Sequence, residues 1–424
     1  YIFAMMHSSD IDILRFTTCG SVDDGKSTLI GRMLFDTKSI MEDQLQAVKS
    51  ASARRGMSGL DLSLITDGLK AEREQGITID VAYRYFATPK RSFVLADTPG
   101  HAQFTRNMVT GASVSDIAIV LVDARHGVVE QTRRHVSIAA LLGVSHLVLA
   151  VNKMDLVNWD ETVFDTVVTD VAAIVSTLGS SVPIHPIPIC ATDGENVVDA
   201  GDKTPWYEGP SVLELLETLD ITPVATIDAR LAVQWTLREH GGSDYRGYAG
   251  RLEGGAIRVG DSVTVHPQGY SSTVAGLTRA GSPTDIAVPG DAIAIELSDD
   301  LDVGKGNVIV VSGAHQPVDA TGLIADVCWF TDAELSVGDS LIVRHASGEV
   351  SARVAAITHR LDLETLENTP TDRLVLNDIG RVELALASTL VVDEYTVNRA
   401  GGSAIAIDPV TNATIGALMI RSGY

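Results

Sequence analysis

The feature that most constrains this chain is a phosphate-binding loop between a strand and a helix. Residues 14–19 are rich in β-forming side chains and run directly into the loop. The loop itself reads Gly20-Ser21-Val22-Asp23-Asp24-Gly25-Lys26-Ser27-Thr28. Apolar residues then recur at helical spacing, at Leu29, Ile30, Met33 and Leu34. Strand, GxxxxGK[ST] and helix together predict an α/β nucleotide-binding domain.

Each residue type in this loop has a chemical role. Gly20 and Gly25 let the backbone wrap closely, so that successive N–H groups point at phosphate oxygens. The helix that begins near Lys26 adds its positive N-terminal end. We expect Lys26 to hold the β- and γ-phosphates of a bound nucleotide and Ser27 to ligate Mg²⁺.

Two further motifs follow predicted strands. Residues 92–96 lead into Asp97-Thr98-Pro99-Gly100-His101, and residues 146–151 lead into Asn152-Lys153-Met154-Asp155. Asp97 suits the second metal-holding group, and Gly100 can offer its N–H to the γ-phosphate. Asp155 can accept hydrogen bonds from guanine N1–H and the 2-amino group, which adenine lacks. The predicted nucleotide is therefore GTP, bound at the carboxyl edge of the sheet.

These motifs resemble the translation-factor class of GTPases. Residues 70–80 resemble its effector segment, and residues 204–210, followed by Ser211 and Glu214, resemble the end of its GTPase domain. The resemblance implies that Thr78 ligates Mg²⁺ and closes over the γ-phosphate, and that His101 orients the attacking water. It also implies a guanine loop at Cys190-Ala191-Thr192, with Cys where the class has Ser and a contact from the Ala191 N–H. Residues 36–68 are either a mobile switch or a plain surface excursion.

Beyond about residue 225, helical periods give way to short alternating runs separated by glycine turns, which predict β-barrels. The expected organisation is a P-loop GTPase domain at 1–224 and two all-β barrels at 225–314 and 315–424. The histidines in this half are scattered, and we expect binding surfaces there rather than an active site.

The composition of the chain argues against several classes of protein. The net charge of −23 makes nonspecific nucleic-acid binding unfavourable. No apolar run approaches the ~20 residues that span a bilayer, and the first residues lack the pattern of a secretory signal. Three widely spaced cysteines form no disulfide framework, so a reducing cytoplasm is expected, with Cys19 and Cys190 buried.

A GTPase followed by two barrels has two main interpretations. One is an elongation factor that carries aminoacyl-tRNA. The other follows from a closer resemblance, across residues 13–420, to the large subunit of bacterial sulfate adenylyltransferase. That resemblance rests on residues 20–32 and on short motifs at residues 36–38, 42–44, 80–86, 123–127, 131–135, 245–250 and 393–395.

This second resemblance implies a division of labour. A separate small catalytic subunit transfers AMP from ATP to sulfate, forming adenosine 5′-phosphosulfate and pyrophosphate, and GTP hydrolysis in this chain drives that reaction. Some relatives carry a fused adenylylsulfate kinase domain. The expected partner is the small subunit, with no nucleic acid and no membrane.

Overall fold

The computed structural model describes residues 13–54, 60–65, 80–101, 104–221, 227–238, 245–313, 315–346 and 348–424. The chain divides into two compact units: Tyr1–Thr222 with Leu363–Leu366, and Pro223–Asp362 with Glu367–Tyr424. Among the described helices, none combines the length and apolarity needed to cross a membrane.

The first unit contains a six-stranded sheet of order β2-β3-β1-β4-β5-β6. All its neighbouring strands pair in parallel except β2 and β3. The strands are β1 Ile13–Cys19, β2 Ala82–Ala87, β3 Ser92–Asp97, β4 Ile117–Asp123, β5 His146–Asn152 and β6 Ile184–Pro188. Every residue of β4 is buried, as expected for a strand covered on both faces.

Helices connect these strands. They are α1 Lys26–Asp36, α2 Glu42–Arg54, α3 Thr105–Ser113, α4 Glu130–Leu141, α5 Glu161–Thr177 and α6 Val212–Thr218. The predicted helix after Lys26 is α1, which buries Leu29, Ile30 and Met33 in the core. The predicted start at Ser211 is also confirmed, because its side chain accepts a hydrogen bond from the Glu214 N–H at 3.2 Å. Residues 36–68 contain α2 and a short 3₁₀ helix, Leu62–Ile65.

The second unit is built from antiparallel strands. The first group is β7 Arg230–Ala232, β8 Trp235–Arg238, β9 Arg246–Glu253, β10 Ile257–Arg258, β11 Ser262–His266, β12 Tyr270–Arg279, β13 Ser282–Thr284, β14 Ile286–Ala287, β15 Ala292–Leu297 and β16 Val308–Val311. The pairing β11-β16-β7-β9-β15-β12 returns to β11 and closes the first barrel. Its interior contains Leu231, Tyr248 and Ile295.

The remaining strands form the second barrel. They are β17 Val318–Trp329, β18 Leu335–Ser336, β19 Ser340–His345, β20 Gly348–Leu361, β21 Asn368–Thr369, β22 Arg373–Leu374, β23 Ile379–Val392, β24 Ser403–Ile407 and β25 Thr414–Gly423. The ring β19-β24-β25-β17-β23-β20 closes through the β19–β20 pairing. The predicted fold class, an α/β GTPase domain followed by two β-barrels, is confirmed. Barrel closure pairs both edges of each sheet.

A buried ion pair joins the two barrels. The guanidinium of Arg230 on β7 lies 2.8 Å from a carboxylate oxygen of Asp393, which follows β23, and both side chains are less than 10% exposed. Arg230 also donates to the carbonyls of Asp228 and His315. The Asn398 side-chain amide donates to the second Asp393 oxygen at 2.7 Å. Both oxygens of the buried Asp393 carboxylate are therefore paired or hydrogen-bonded, whereas the buried Nε of Arg230 has no hydrogen-bond partner.

Replacing Arg230 by methionine should destabilise the barrels by about 3–5 kcal/mol, because Asp393 would stay buried without a counter-charge. Hydrogen exchange of barrel amides in the whole chain, followed by mass spectrometry across urea concentrations, measures the change in opening free energy. The control is Arg344→Met, which removes an ion pair with Glu349 in which both side chains are about half exposed and so should cost ~1 kcal/mol or less. A loss no larger than in the control would contradict this prediction.

Candidate nucleotide-binding site

Four of the predicted motifs meet at one edge of the sheet. The phosphate-binding loop follows β1, and the Cys190–Thr192 loop follows β6. The Asp97–His101 and Asn152–Asp155 motifs begin at the last residues of β3 and β5. These strands are parallel, so their carboxyl ends lie at the same edge. Segments up to about 170 positions apart in sequence are thereby brought into one site.

Lys26 lies at the centre of the phosphate-binding loop. Its ammonium donates to the carbonyl oxygens of Gly20 at 2.5 Å and Ser21 at 2.8 Å. The lysine side chain is therefore held back over its own loop, at the start of α1. Burial lowers the pKa of Lys26, and the carboxylates of Asp24 and Asp97 oppose that shift.

Asp24 braces the same loop from inside. It is only 6% exposed, and its carboxylate accepts a hydrogen bond from the Ser21 N–H at 2.6 Å. Burial raises the pKa of Asp24, and the ammonium of Lys26 opposes that rise. A carboxylate here keeps the loop closed through an internal hydrogen bond.

The segment after β3 lies directly against the phosphate-binding loop. A Cβ on Gly100 would come within 2.4 Å of the Lys26 ammonium and 2.5 Å of the Gly20 carbonyl oxygen, so only glycine allows this approach. The Thr98 hydroxyl donates to the Thr18 carbonyl at 2.6 Å and ties the segment to β1. Asp97 is 1% exposed. His101 is partly exposed, and its ring lies edge-on to Phe104.

Asn152 connects two loops of the site. Its side-chain amide donates to the Asp24 carbonyl at 2.7 Å and accepts from the Ala191 N–H at 3.0 Å. The Ala191 N–H that the sequence assigned to guanine is thus bonded to Asn152 in this structure. Gly25 has φ +100°, and a Cβ there would lie 2.3 Å from the Asn152 amide nitrogen. The bridge therefore depends on glycine at this position.

The residues predicted to recognise the base lie next to one another. Asp155 is the second residue of a short 3₁₀ helix, Met154–Val157, and is partly exposed. The Cys190 thiol is buried beside it and lies 3.1 Å from the Thr192 hydroxyl. Burial raises the pKa of Cys190 to about 11, and the Asp155 carboxylate adds to that rise. Cys190 therefore stays a neutral thiol that can donate to Asp155, as a serine hydroxyl would. Cys19 is also buried, as predicted.

Sequence reasoning missed two groups that support the site. Arg32 on α1 donates to the carbonyls of Ala191 and Thr192 and so anchors the Cys190–Thr192 loop. Asp123, at the end of β4, pairs with the Lys153 ammonium at 2.9 Å. Burial acts to raise the pKa of Asp123, but hydrogen bonds from Arg125 and Lys153 outweigh it and hold that pKa well below its usual range. The sequence signal that could have identified Asp123 is its position as the one charged residue at the end of the otherwise apolar strand β4.

Lys153 also reaches the phosphate-binding loop. Its ammonium donates to the Asp23 carbonyl at 2.5 Å. Val22 and Asp23 form the exposed tip of that loop, whereas Met154 is buried beneath the site. Thr28 lies in the first turn of α1.

The donors suit a magnesium ion that is carried largely by nucleotide phosphates. Ser27 is in the first turn of α1 and Asp97 ends β3, while Thr78 lies outside the described residues. Within the described ranges, no group of three or more His, Cys, Asp or Glu could hold a metal. One hydroxyl and one carboxylate match the sparse protein ligation typical of Mg²⁺ at phosphates.

The class of protein follows from this site and a family comparison. Residues 11–224 match the family model for the elongation factor Tu GTP binding domain, and residues 322–421 match that for the GTP-eEF1A C-terminal domain-like family. The chain is therefore a P-loop protein with a GTP-binding domain of the translation-factor type. A crystal structure of Sup35 complexed with GMPPNP aligns with TM-score 0.44 and 22% identity, covering 98% of this chain and 95% of that one.

Curated relatives define the family more narrowly. Sulfate adenylyltransferase subunit 1 of Cellvibrio japonicus is 46% identical over 96% of this chain and 86% of its own length. The Aeromonas hydrophila protein of the same name is 46% identical over 100% of this chain and 88% of its own length. The bifunctional enzyme CysN/CysC of Mycobacterium tuberculosis is 49% identical over 96% of this chain and 67% of its own. The chain belongs to the sulfate adenylyltransferase subunit 1 family.

Proposed function

We propose that this chain is the GTP-hydrolysing, energy-coupling subunit of a sulfate adenylyltransferase, with residues 1–224 as its GTPase domain and 225–314 and 315–424 as its barrels. The observation that carries the proposal is a GTP-type site in a chain that aligns with subunit 1 relatives along nearly its whole length. A small catalytic subunit would transfer AMP from ATP to sulfate, releasing pyrophosphate. The setting we expect is cytoplasmic, with a fused or associated adenylylsulfate kinase in some relatives.

Guanine recognition rests on Asp155. Its carboxylate accepts from N1–H and the 2-amino group, and the neutral Cys190 thiol beside it can also donate to it. Asn152 keeps the guanine loop and the phosphate-binding loop at a constant separation through its two hydrogen bonds. The nucleotide is thus held at both ends by residues of one connected network.

Hydrolysis rests on positioning. Lys26 and the loop N–H groups neutralise the phosphates, and the Gly100 N–H faces the γ-phosphate. His101 orients the attacking water for in-line displacement. Ser27, Thr78 and Asp97 would hold Mg²⁺, which would supply charge neutralisation at the phosphates.

Coupling follows from what the γ-phosphate holds in place. Gly100 packs against Lys26 and the Gly20 carbonyl, so any group bound at Lys26 determines where the segment after β3 can lie. Loss of the γ-phosphate releases Gly100 and Thr78, and this change is passed to the partner subunit. The product anhydride is less stable than the ATP bond consumed, so GTP hydrolysis drives its formation.

The test is steady-state GTP hydrolysis by the purified chain, with and without the small subunit, ATP and sulfate. We expect stimulation that requires all three additions and is matched by pyrophosphate release. Omitting one component at a time is the control. Stimulation by ribosomes and aminoacyl-tRNA instead would establish the elongation-factor alternative, and would overturn the proposal.

A further inference from the structure

A buried carboxylate lies on the outer face of the second barrel. Along β17, Ala325 and Val327 point into the barrel core, so Asp326 between them points outward. It is nevertheless only 5% exposed. A carboxylate buried on an outward face must be covered and compensated by neighbouring side chains.

Two arginines from the flanking strands supply that compensation. Arg381, opposite Asp326 on β23, donates through Nε to Oδ1 at 2.7 Å. Arg421 on β25 donates through Nε to Oδ2 at 2.6 Å. Their side chains remain 38% and 25% exposed. We call Arg381 and Arg421 the arginine pair.

The arginine pair leaves its strongest recognition groups available. Each guanidinium uses Nε for Asp326, and in the described ranges its terminal nitrogens have no hydrogen-bond partner within the chain. The shared carboxylate holds the Nε of each guanidinium through one of its two oxygens. An arginine recognises a carboxylate best when two of its nitrogens donate in parallel. A guanidinium that is already oriented also loses less conformational freedom on binding.

The surroundings add to this surface. The Tyr395 hydroxyl accepts a hydrogen bond from Arg399 Nε at 3.1 Å. The positive charge of Arg421 lies close enough to act on the pKa of Tyr395, which it lowers against the larger effect of burial. His359 on β20 pairs in register with Arg381. Glu383 is the next outward residue on β23 and forms no ion pair with the arginine pair. Two arginines on one carboxylate leave the arginine pair with one uncompensated positive charge, on a chain of net charge −23.

We propose that the arginine pair is a docking surface for carboxylate side chains of the small catalytic subunit. This rests on the proposed function, because it needs that partner. The surface is the outer face of a closed barrel rather than a pocket, and a shallow pair of guanidiniums suits carboxylates presented by a protein surface. On a chain of net charge −23, such a cationic patch is a place where carboxylates of a partner are attracted rather than repelled.

The experiment measures the affinity of the small subunit for the whole chain by calorimetry, at several salt concentrations. Arg381→Gln and Arg421→Gln each leave Asp326 one arginine, so the barrel should stay folded, and thermal unfolding verifies this. Each variant should weaken binding about tenfold or more and reduce the salt dependence. GTP hydrolysis without the partner should be unchanged. Arg381→Lys should recover only part of the affinity, because it restores charge without the planar fork.

Arg344→Gln is the matched control, since Arg344 is an exposed arginine on the same barrel paired with Glu349. It should bind the partner within about twofold of wild type if the effect is local. Affinities of the arginine-pair variants equal to wild type, or lowered no more than in the control, would overturn the inference. The wild-type titration reports separately on the proposed function: no binding of the small subunit at all would refute both.

Discussion

Replacing Asp155 by asparagine is expected to shift the nucleotide preference of this chain from guanine to xanthine. The carboxylate accepts two hydrogen bonds from guanine, and each bond to a charged group contributes about 1.5–3 kcal/mol. In asparagine, an NH₂ group replaces one carboxylate oxygen. It would face the guanine 2-amino group, and two donors cannot hydrogen-bond to each other. GTP affinity should therefore fall by a factor on the order of 10²–10⁴. Xanthine has a 2-oxo acceptor there, so XTP binding should rise.

Equilibrium titration with fluorescent GDP and XDP analogues measures this shift. Cys190→Ser is the matched control, because a hydroxyl can replace the thiol beside Asp155. It should leave GDP affinity nearly unchanged. An Asp155→Asn variant that retains the GTP preference would show that the base is recognised elsewhere.

Replacing His101 by alanine should slow GTP hydrolysis by about 10²–10⁴-fold, because the group that positions the attacking water is lost. GTP affinity should change little, since the loop, Lys26 and Asp155 are untouched. His101 is partly exposed and packs edge-on to Phe104, so truncation creates no core cavity. Single-turnover hydrolysis in the partner-stimulated complex, with separately measured GTP affinity, distinguishes the two effects.

His101→Gln provides the conservative comparison. Glutamine keeps hydrogen-bonding groups at similar reach and can orient water, so it should recover part of the rate. Equal rates of GTP hydrolysis in the wild type and in the alanine and glutamine variants would show that His101 takes no part in hydrolysis. A fall in GTP affinity that matches the fall in rate would instead indicate disturbance of the whole segment after β3.

The site motifs were readable because their signals are local. Each motif lies at the carboxyl end of a short strand: residues 20–27, 97–101 and 152–155. Parallel strands bring such segments to one edge of the sheet. The two barrels were predictable from short alternating runs and glycine turns. Even the helix start at Ser211 depends on residues three apart.

The fold class, the nucleotide-type motifs and the family resemblance were predictable from the sequence, since each depends on neighbouring residues or on their order. Three contacts depend on how the chain folds: Arg32 anchors the Cys190–Thr192 loop, Asp123 pairs with Lys153, and Asp326 binds two arginines from different strands. Those pairs lie far apart in the chain and carry no local pattern. Strand register and helix packing bring them together, and only the folded chain specifies which of many charged residues meet.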